Sequence, residues 1–425
     1  MNSNDRSIVG LVTVAHAMVH TYELSIPVLI PIWLAEFSVI DLGVTQFPVN
    51  AATLGALVTV GFALFGLGAI PSGVLVDRLD ARLLITVCLL GMGGSFLVLA
   101  VSPTPVVIGL AMALWGVAAS VYHPTGLSLI SRGVEQRGSA FAYHGMAGNV
   151  GIAVGPLVTI LLLIAFDWRV VVALLAIPAA AAALFAFRAD IDERAAVTAT
   201  DGGDDGDGRA DGVSSLGEFL SQSKVLFAGA FAIVFVVTLC SGLYYRGVLT
   251  FLPELLRDVP SLAPIQIGSE TYEPGDYVYV GLLMVGVLGQ FVAGKLTDRG
   301  RPEYGILAGF GALAVIGVLF LPVAGLGLAG LLGIAALLGF FLFFVQPFYQ
   351  ASVAEYTPPG ARGLSYGFTY LGVFGIGALG ASIAGAILTY FSAGTLFVVL
   401  AGLATVAAGL GAYLVTRVPS TATAT

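Results

Sequence analysis

The residues best equipped for chemistry stand on one stripe of the first long apolar run. Thr13, His16, His20, Glu23 and Pro27 follow one another at intervals of three or four, which on a helix places them within an arc of about 60°. Ionisable side chains inside an apolar helix are costly, and they usually face each other or a water-filled cavity. His20 and Glu23 are one turn apart, so a histidine–carboxylate pair is available, and such a pair can take up and release a proton near neutral pH. A Glu23 close to the outer surface would instead simply meet water, and both readings stand. The chain has four histidines, and the other two, His123 and His144, fall in the same half. His123 precedes Pro124, whose ring removes a backbone hydrogen bond and bends a helix. Its imidazole either contacts a solute beside the kink or fills space there. His144 shares a helical face with Gly148, Gly151 and Gly155, a small-residue groove suited to close helix packing. That setting favours a hydrogen bond to a neighbouring helix over exposure to a cavity. Asn149 points off that face as a candidate polar contact.

In the second half, Arg246 follows Tyr244 and Tyr245 within an apolar run. A permanently charged guanidinium there invites an anion, either a carboxylate such as Glu23 or a bound substrate, unless it snorkels to an interface. Gln346 and Tyr370, with Gln290, Tyr349, Gln350 and Tyr366, are the kind of sparse polar contacts found in a mostly apolar pocket. Cys88 and Cys240 have no motif partner and read as packing residues. There is no metal-ligand spacing, no GxxxxGK[ST] loop for nucleotide and no nucleophile–base–orienter set, so neither a metal, a cofactor nor an enzyme activity is expected.

The elements that carry these residues follow from composition. Of 425 residues, 58% are hydrophobic and 10% charged, against about 25% charged in soluble domains. Such a chain lacks the polar surface that water requires, so most of its exterior faces lipid. Apolar runs of about 20 residues or more, the length of a membrane-spanning helix, cover roughly 8–34, 49–71, 83–101, 105–131, 139–165 and 169–188. They resume near 222–253, 277–296, 304–323, 325–352, 361–389 and 393–416. Between the two sets lies a Gly/Asp-rich stretch, DGGDDGDG, that cannot bury apolar surface and reads as a flexible acidic linker. The division is therefore 1–188, linker 189–221, and 222–425, an all-α membrane protein of two six-helix bundles. With both termini in the cytoplasm, Arg169 and Arg257 are the only basic residues in outside loops, and the rest lie inside or, for Arg246, within a span. The first run is too long for a signal peptide and reads as a retained helix. The net charge of −8, the use of only Lys224 and Lys295 as lysines, and the Ala/Gly/Val-rich body suggest a salt-loving prokaryote, with high-GC codon bias as the alternative. No basic stripe exists for nucleic acid.

The two sets repeat each other. Gly73-Val-Leu-Val-Asp77-Arg78 recurs as Gly294-Lys-Leu-Thr-Asp298-Arg299, Tyr22 and Pro31 as Tyr244 and Pro253, His123-Pro124 as Gln346-Pro347, and Arg137-Gly138 as Arg362-Gly363. Ordered matches at a nearly constant offset mark a duplicated six-helix unit. An Asp–Arg pair repeated at matching helix ends can form and break as a transporter changes state, a role that would involve Asp77, Arg78, Arg82, Asp298, Arg299 and Arg301. The positive-inside bias accounts for the arginines but not for the aspartates.

The segments GVLVDRLDAR and GKLTDRGR resemble the G-x-L-x-D-R-x-x-R/K loop signature of the major facilitator superfamily, and they fall between spans 2 and 3 and between spans 8 and 9 as in that family. The resemblance covers nearly the whole chain and implies a pseudo-symmetric transporter fold, with spans 1 and 7 facing a central cavity. SVYHPTGLSLISRG (Ser120–Gly133) and GNVGIAVGPL (Gly148–Leu157) resemble the fosmidomycin-resistance-type efflux subgroup. Gly151-x-x-x-Gly155-Pro156 is similar to the antiporter signature of drug–proton exchangers but lacks its trailing glycine pair, since Val158 and Thr159 follow. The expected activity is proton-coupled efflux of a small polar or anionic solute by a monomer in the plasma membrane, and the alternative is ion-coupled uptake of an organic anion.

Overall fold

The computed structural model describes residues 1–76, 78–198, 216–297, 299–358 and 362–417. Asp77, Asp298 and the acidic run of the linker lie outside the described residues. Twelve helices in it are long and apolar enough to cross a membrane. Spans 1 to 6 are Ser3–Glu36, Ala51–Val76, Ala81–Ala100, Pro105–Gly133, Arg137–Ala165 and Trp168–Arg188. Spans 7 to 12 are Phe231–Leu249, Pro274–Thr297, Pro302–Ala324, Leu328–Glu355, Leu364–Tyr390 and Ala393–Arg417. The largest boundary difference from the hydropathy reading is at span 7, which begins at Phe231 rather than near 222, because a separate helix, Leu216–Ala228, precedes it. That helix carries Glu218, Gln222 and Lys224 among its apolar residues, and merging the two runs by hydropathy overextends the span. Two antiparallel hairpins, Val39–Asp41 with Gln46–Pro48 and Ile265–Ile267 with Glu270–Tyr272, add short strands to an otherwise helical protein. They occupy equivalent loops, after span 1 and after span 7, and each turns at a glycine with positive φ, Gly43 or Gly268.

The chain forms two compact units, one of Met1–Val49 with Val60–Ala210, the other of Asn50–Thr59 with Asp211–Thr425. Within each unit the helices approach through small residues at matching places, as expected where packing rather than water exclusion joins helices. Spans 2 and 4 meet at Gly61 and Gly116: a Cβ on Gly116 would stand 2.1 Å from the Gly61 carbonyl oxygen. Spans 8 and 10 repeat this at Gly339, where a Cβ would stand 2.1 Å from the Leu282 oxygen. Spans 1 and 5 meet at Gly155 against Thr21, and spans 7 and 11 at Gly380 against Leu243. The ends are tied alike. Arg82 at the start of span 3 donates to the carbonyl of Ala189 just past span 6 (3.1 Å), and Arg301 at the start of span 9 donates to that of Leu414 on span 12 (3.3 Å), each satisfying a helix-terminal carbonyl.

Three spans depart from regular helix, and span 2 does so at Gly68, between Ala51–Leu67 and Ala69–Val76. Span 4 is interrupted at Val121, between Pro105–Ser120 and Tyr122–Gly133. Pro124 cannot donate to Ser120 and its ring crowds that carbonyl, so the break falls where proline chemistry puts it. Pro347, its counterpart, lies inside a continuous helix. Span 11 contains a π-helical stretch, Leu371–Ile376, between Arg362–Tyr370 and Leu379–Tyr390.

Filling the close approaches is expected to cost stability. Gly151→Val places a Cβ 2.2 Å from the Ala17 oxygen and Gly289→Val one 2.0 Å from the Phe340 oxygen; each should destabilise by about 1–3 kcal/mol. Gly145→Ala and Gly294→Ala meet nothing within 4 Å and should leave the thermal midpoint in detergent almost unchanged.

Candidate functional site

Four imidazoles and one carboxylate converge in the first unit. His16, His20 and Glu23 come from span 1, His123 from the second segment of span 4, and His144 from span 5. All five are buried, and Glu23 has no exposed surface. Glu23 Oε2 lies 2.5 Å from His20 Nδ1, His20 Nε2 lies 3.1 Å from His16 Nε2, and His16 Nδ1 lies 2.7 Å from the carbonyl oxygen of His144. The His16 ring stacks on that of His144 with centroids 3.8 Å apart, and His123 stands edge-on to His16 at 5.2 Å. Tyr122 stacks with both His16, at 5.4 Å, and His144, at 5.9 Å, and donates its hydroxyl to the carbonyl of Val12. Gly148 makes the stack possible: a Cβ there would stand 2.5 Å from Cε1 of His16.

The hydrogen bonds fix a proton count. Three contacts run in series from Glu23 to His20, to His16, to the His144 carbonyl, and each needs one hydrogen between its two heavy atoms. The carbonyl only accepts, so Nδ1 of His16 carries a hydrogen. A carboxylate and two neutral imidazoles bring two hydrogens to a line that requires three. One further proton, on Glu23, on His20 or on His16, would give every contact of the line its hydrogen. In every version Glu23, His20 and His16 together carry no net charge, which suits their burial in low dielectric. Removing that proton leaves one contact of the line without a hydrogen, and that contact has to open.

The remaining candidates lie elsewhere. Asn149 is half-buried on span 5. In the second unit, Arg246 is 3% exposed with its guanidinium 5.4 Å from the Tyr245 ring centre. Tyr244 donates to the carbonyl of Leu313 at 3.4 Å. Gln346 is half-buried on span 10, and Tyr370 stacks on Phe374 at 5.7 Å beside the π-helical stretch. Of the loop signature, Arg78 and Arg299 are exposed, while Arg82 and Arg301 make the helix-end contacts described above. Gly151, Gly155 and Pro156 face span 1 or lie buried within span 5.

The sequence pattern of the Major Facilitator Superfamily matches residues 10–379 and also 234–425. The chain belongs to the Major Facilitator Superfamily. Puromycin resistance protein pur8 of Streptomyces alboniger is 33% identical over 138 residues, 30% of this chain, and the chain spans only 25% of that relative's length. A bacterial homologue of the human lysosomal transporter Spinster, solved inward-facing and unoccupied, shares the fold at a TM-score of 0.69 and 16% identity, over 98% of this chain and 95% of that one. The nucleoside transporter NupG does so at 0.70 and 14%, over 98% and 100%. Within this superfamily fold, the sequence offered the span 1 stripe by its spacing, but not the meeting of His16 with His144 and Tyr122. Only the confinement of all the histidines to one half pointed that way.

The fit of His16 against Gly148 is testable by a double-mutant cycle. Gly148→Ala is expected to destabilise the protein by about 1–3 kcal/mol through overpacking. In a His16→Ala background the same change should cost much less, measured by thermal unfolding in detergent. Equal costs in both backgrounds would mean that the ring does not occupy this space.

Proposed function

We propose that this superfamily member is a proton-coupled secondary transporter that exports a small polar or anionic compound by alternating access. The observation that carries the reading is the Glu23–His20–His16 line, which in its buried geometry requires one proton beyond a carboxylate and two neutral rings. A site that gains and loses one proton, and whose contacts change when it does, is what exchange against a proton needs. A proton crossing 100 mV supplies about 2.3 kcal/mol. The polar or anionic character of the solute is argued from Arg246, a guanidinium buried in the second unit beside Tyr245, with Tyr244, Gln346, Tyr370 and, in the first unit, His123 and Asn149 as further solute contacts. Efflux rather than uptake is favoured by the puromycin-resistance relative and by the resemblance of Ser120–Gly133 to fosmidomycin-resistance-type exporters. The uptake of an organic anion uses the same groups in another order. The arginine bias supports both termini on the cytoplasmic side, and the low-lysine, acidic composition supports a prokaryotic plasma membrane. The loop residues Asp77, Arg78, Asp298 and Arg299 would serve as gates between states.

In proteoliposomes under an imposed pH gradient, an added substrate should change the luminal pH. A panel of hydrophilic antibiotics headed by puromycin is the first to try. His20→Gln and Glu23→Gln are each expected to abolish that coupling. Coupling unchanged in both variants removes the line from the mechanism, and pH changes of opposite sign favour uptake with protons.

A further inference from the structure

We propose that His16, His123 and His144 form a binding site for one divalent first-row transition-metal ion in the first unit. One ring nitrogen from each of the three lies within 4.8 Å of the others. A tetrahedral zinc site with Zn–N of about 2.1 Å has ligand atoms about 3.4 Å apart, so the set closes around an ion once the His16 and His144 rings turn out of their stack toward it. The ligands come from spans 1, 4 and 5, and each is 7% exposed.

The surroundings are those of a metal ligand set. His16 donates Nδ1–H to the carbonyl of His144, the outer contact that typically fixes a ligating imidazole and leaves Nε2 with its lone pair. Nε2 of His144 is buried and makes no hydrogen bond. Buried polar nitrogens are rarely left so, and coordination is one use for such an atom. Gly148 gives the His16 ring its room, and Tyr122 and Phe65 flank the cluster. Three imidazoles with no carboxylate among them suit zinc, nickel, cobalt or copper rather than magnesium or calcium, which prefer oxygen. Three protein ligands leave a fourth position open for water or another group. His20 Nε2 touches His16 Nε2, so an ion on His16 and a hydrogen shared between these two rings exclude each other.

The test uses the full chain, purified in detergent with its affinity tag removed, because a histidine tag would bind the same ions. Titration with Zn²⁺, and with Co²⁺ followed by its visible absorption, should give one saturable ion per chain and the intense bands of a four-coordinate nitrogen site. His123→Ala and His144→Ala should each weaken binding at least tenfold, whereas Cys88→Ser and Cys240→Ser should retain it. Zinc X-ray absorption on the unaltered protein guards against variants that fail to fold, and it should report three imidazole nitrogens at about 2.0–2.1 Å. No saturable binding, binding unchanged in both histidine variants, or a sulfur shell at the zinc would each overturn the assignment. Binding is read without substrate or gradient, so its outcome is separate from that of the proton-coupling experiment.

Discussion

Glu23 has no exposed surface and sits in a helix built to cross a membrane, where a lone carboxylate is too costly to keep. It needs polar partners where it stands, and one of them shapes the packing of the first unit. His20, one turn earlier, supplies the partner, but its second nitrogen then needs a partner of its own. His16 supplies that, and it in turn needs an acceptor. The acceptor is a backbone carbonyl on span 5, which comes close enough only because Gly148 carries no side chain against the ring. A single buried charge thus propagates through three hydrogen bonds into the packing of two helices, and the break in span 4 turns Tyr122 and His123 onto the same group.

The scaffold that permits this is duplicated, and the duplication is visible in contacts as well as in sequence. Gly116 on Gly61 and Gly339 on Leu282, Gly155 on Thr21 and Gly380 on Leu243, Arg82 on Ala189 and Arg301 on Leu414 are the same three solutions made twice. Close approach through small residues is how helices gain contact energy in a medium as apolar as their own surfaces. A repeat inherited from one ancestral unit conserves those crossings first, because overpacking them costs the most.

Much of this was legible before any coordinates. Hydropathy and length found the spans, because lipid leaves a helix few alternatives, and the loop signature and repeat gave the superfamily. The pairing of His20 with Glu23 could be named because it is local, three residues apart on one helix. The contact of His16 with His144 could not, since it spans 128 residues and depends on which face of span 5 meets span 1. The glycine face of span 5 was readable, but not that a histidine ring rather than a backbone would fill it. Hydropathy overextends span 7 because only Gly229 and Ala230 separate it from an amphipathic helix whose apolar residues continue its run. The hairpins were missed because their strands are only three residues each, too short for an alternating pattern to register.

The departures from symmetry are where chemistry separates from architecture. The repeat that aligns Tyr22 with Tyr244 aligns His16 with Thr238, His20 with Gly242 and Glu23 with Tyr245. At Gly242 a Cβ would stand 2.3 Å from the Val373 oxygen. The second unit therefore closes by backbone contact the space that the first fills with imidazole. In one unit the glycine is on span 5 and the ring on span 1; in the other, Gly242 on span 7 meets the backbone of span 11 at Val373 and Gly377. The crossing is preserved and its occupant is exchanged. A buried line of histidines and a carboxylate in one unit and a buried guanidinium in the other is an arrangement that packing alone does not require, since the second unit makes the corresponding crossing without histidines.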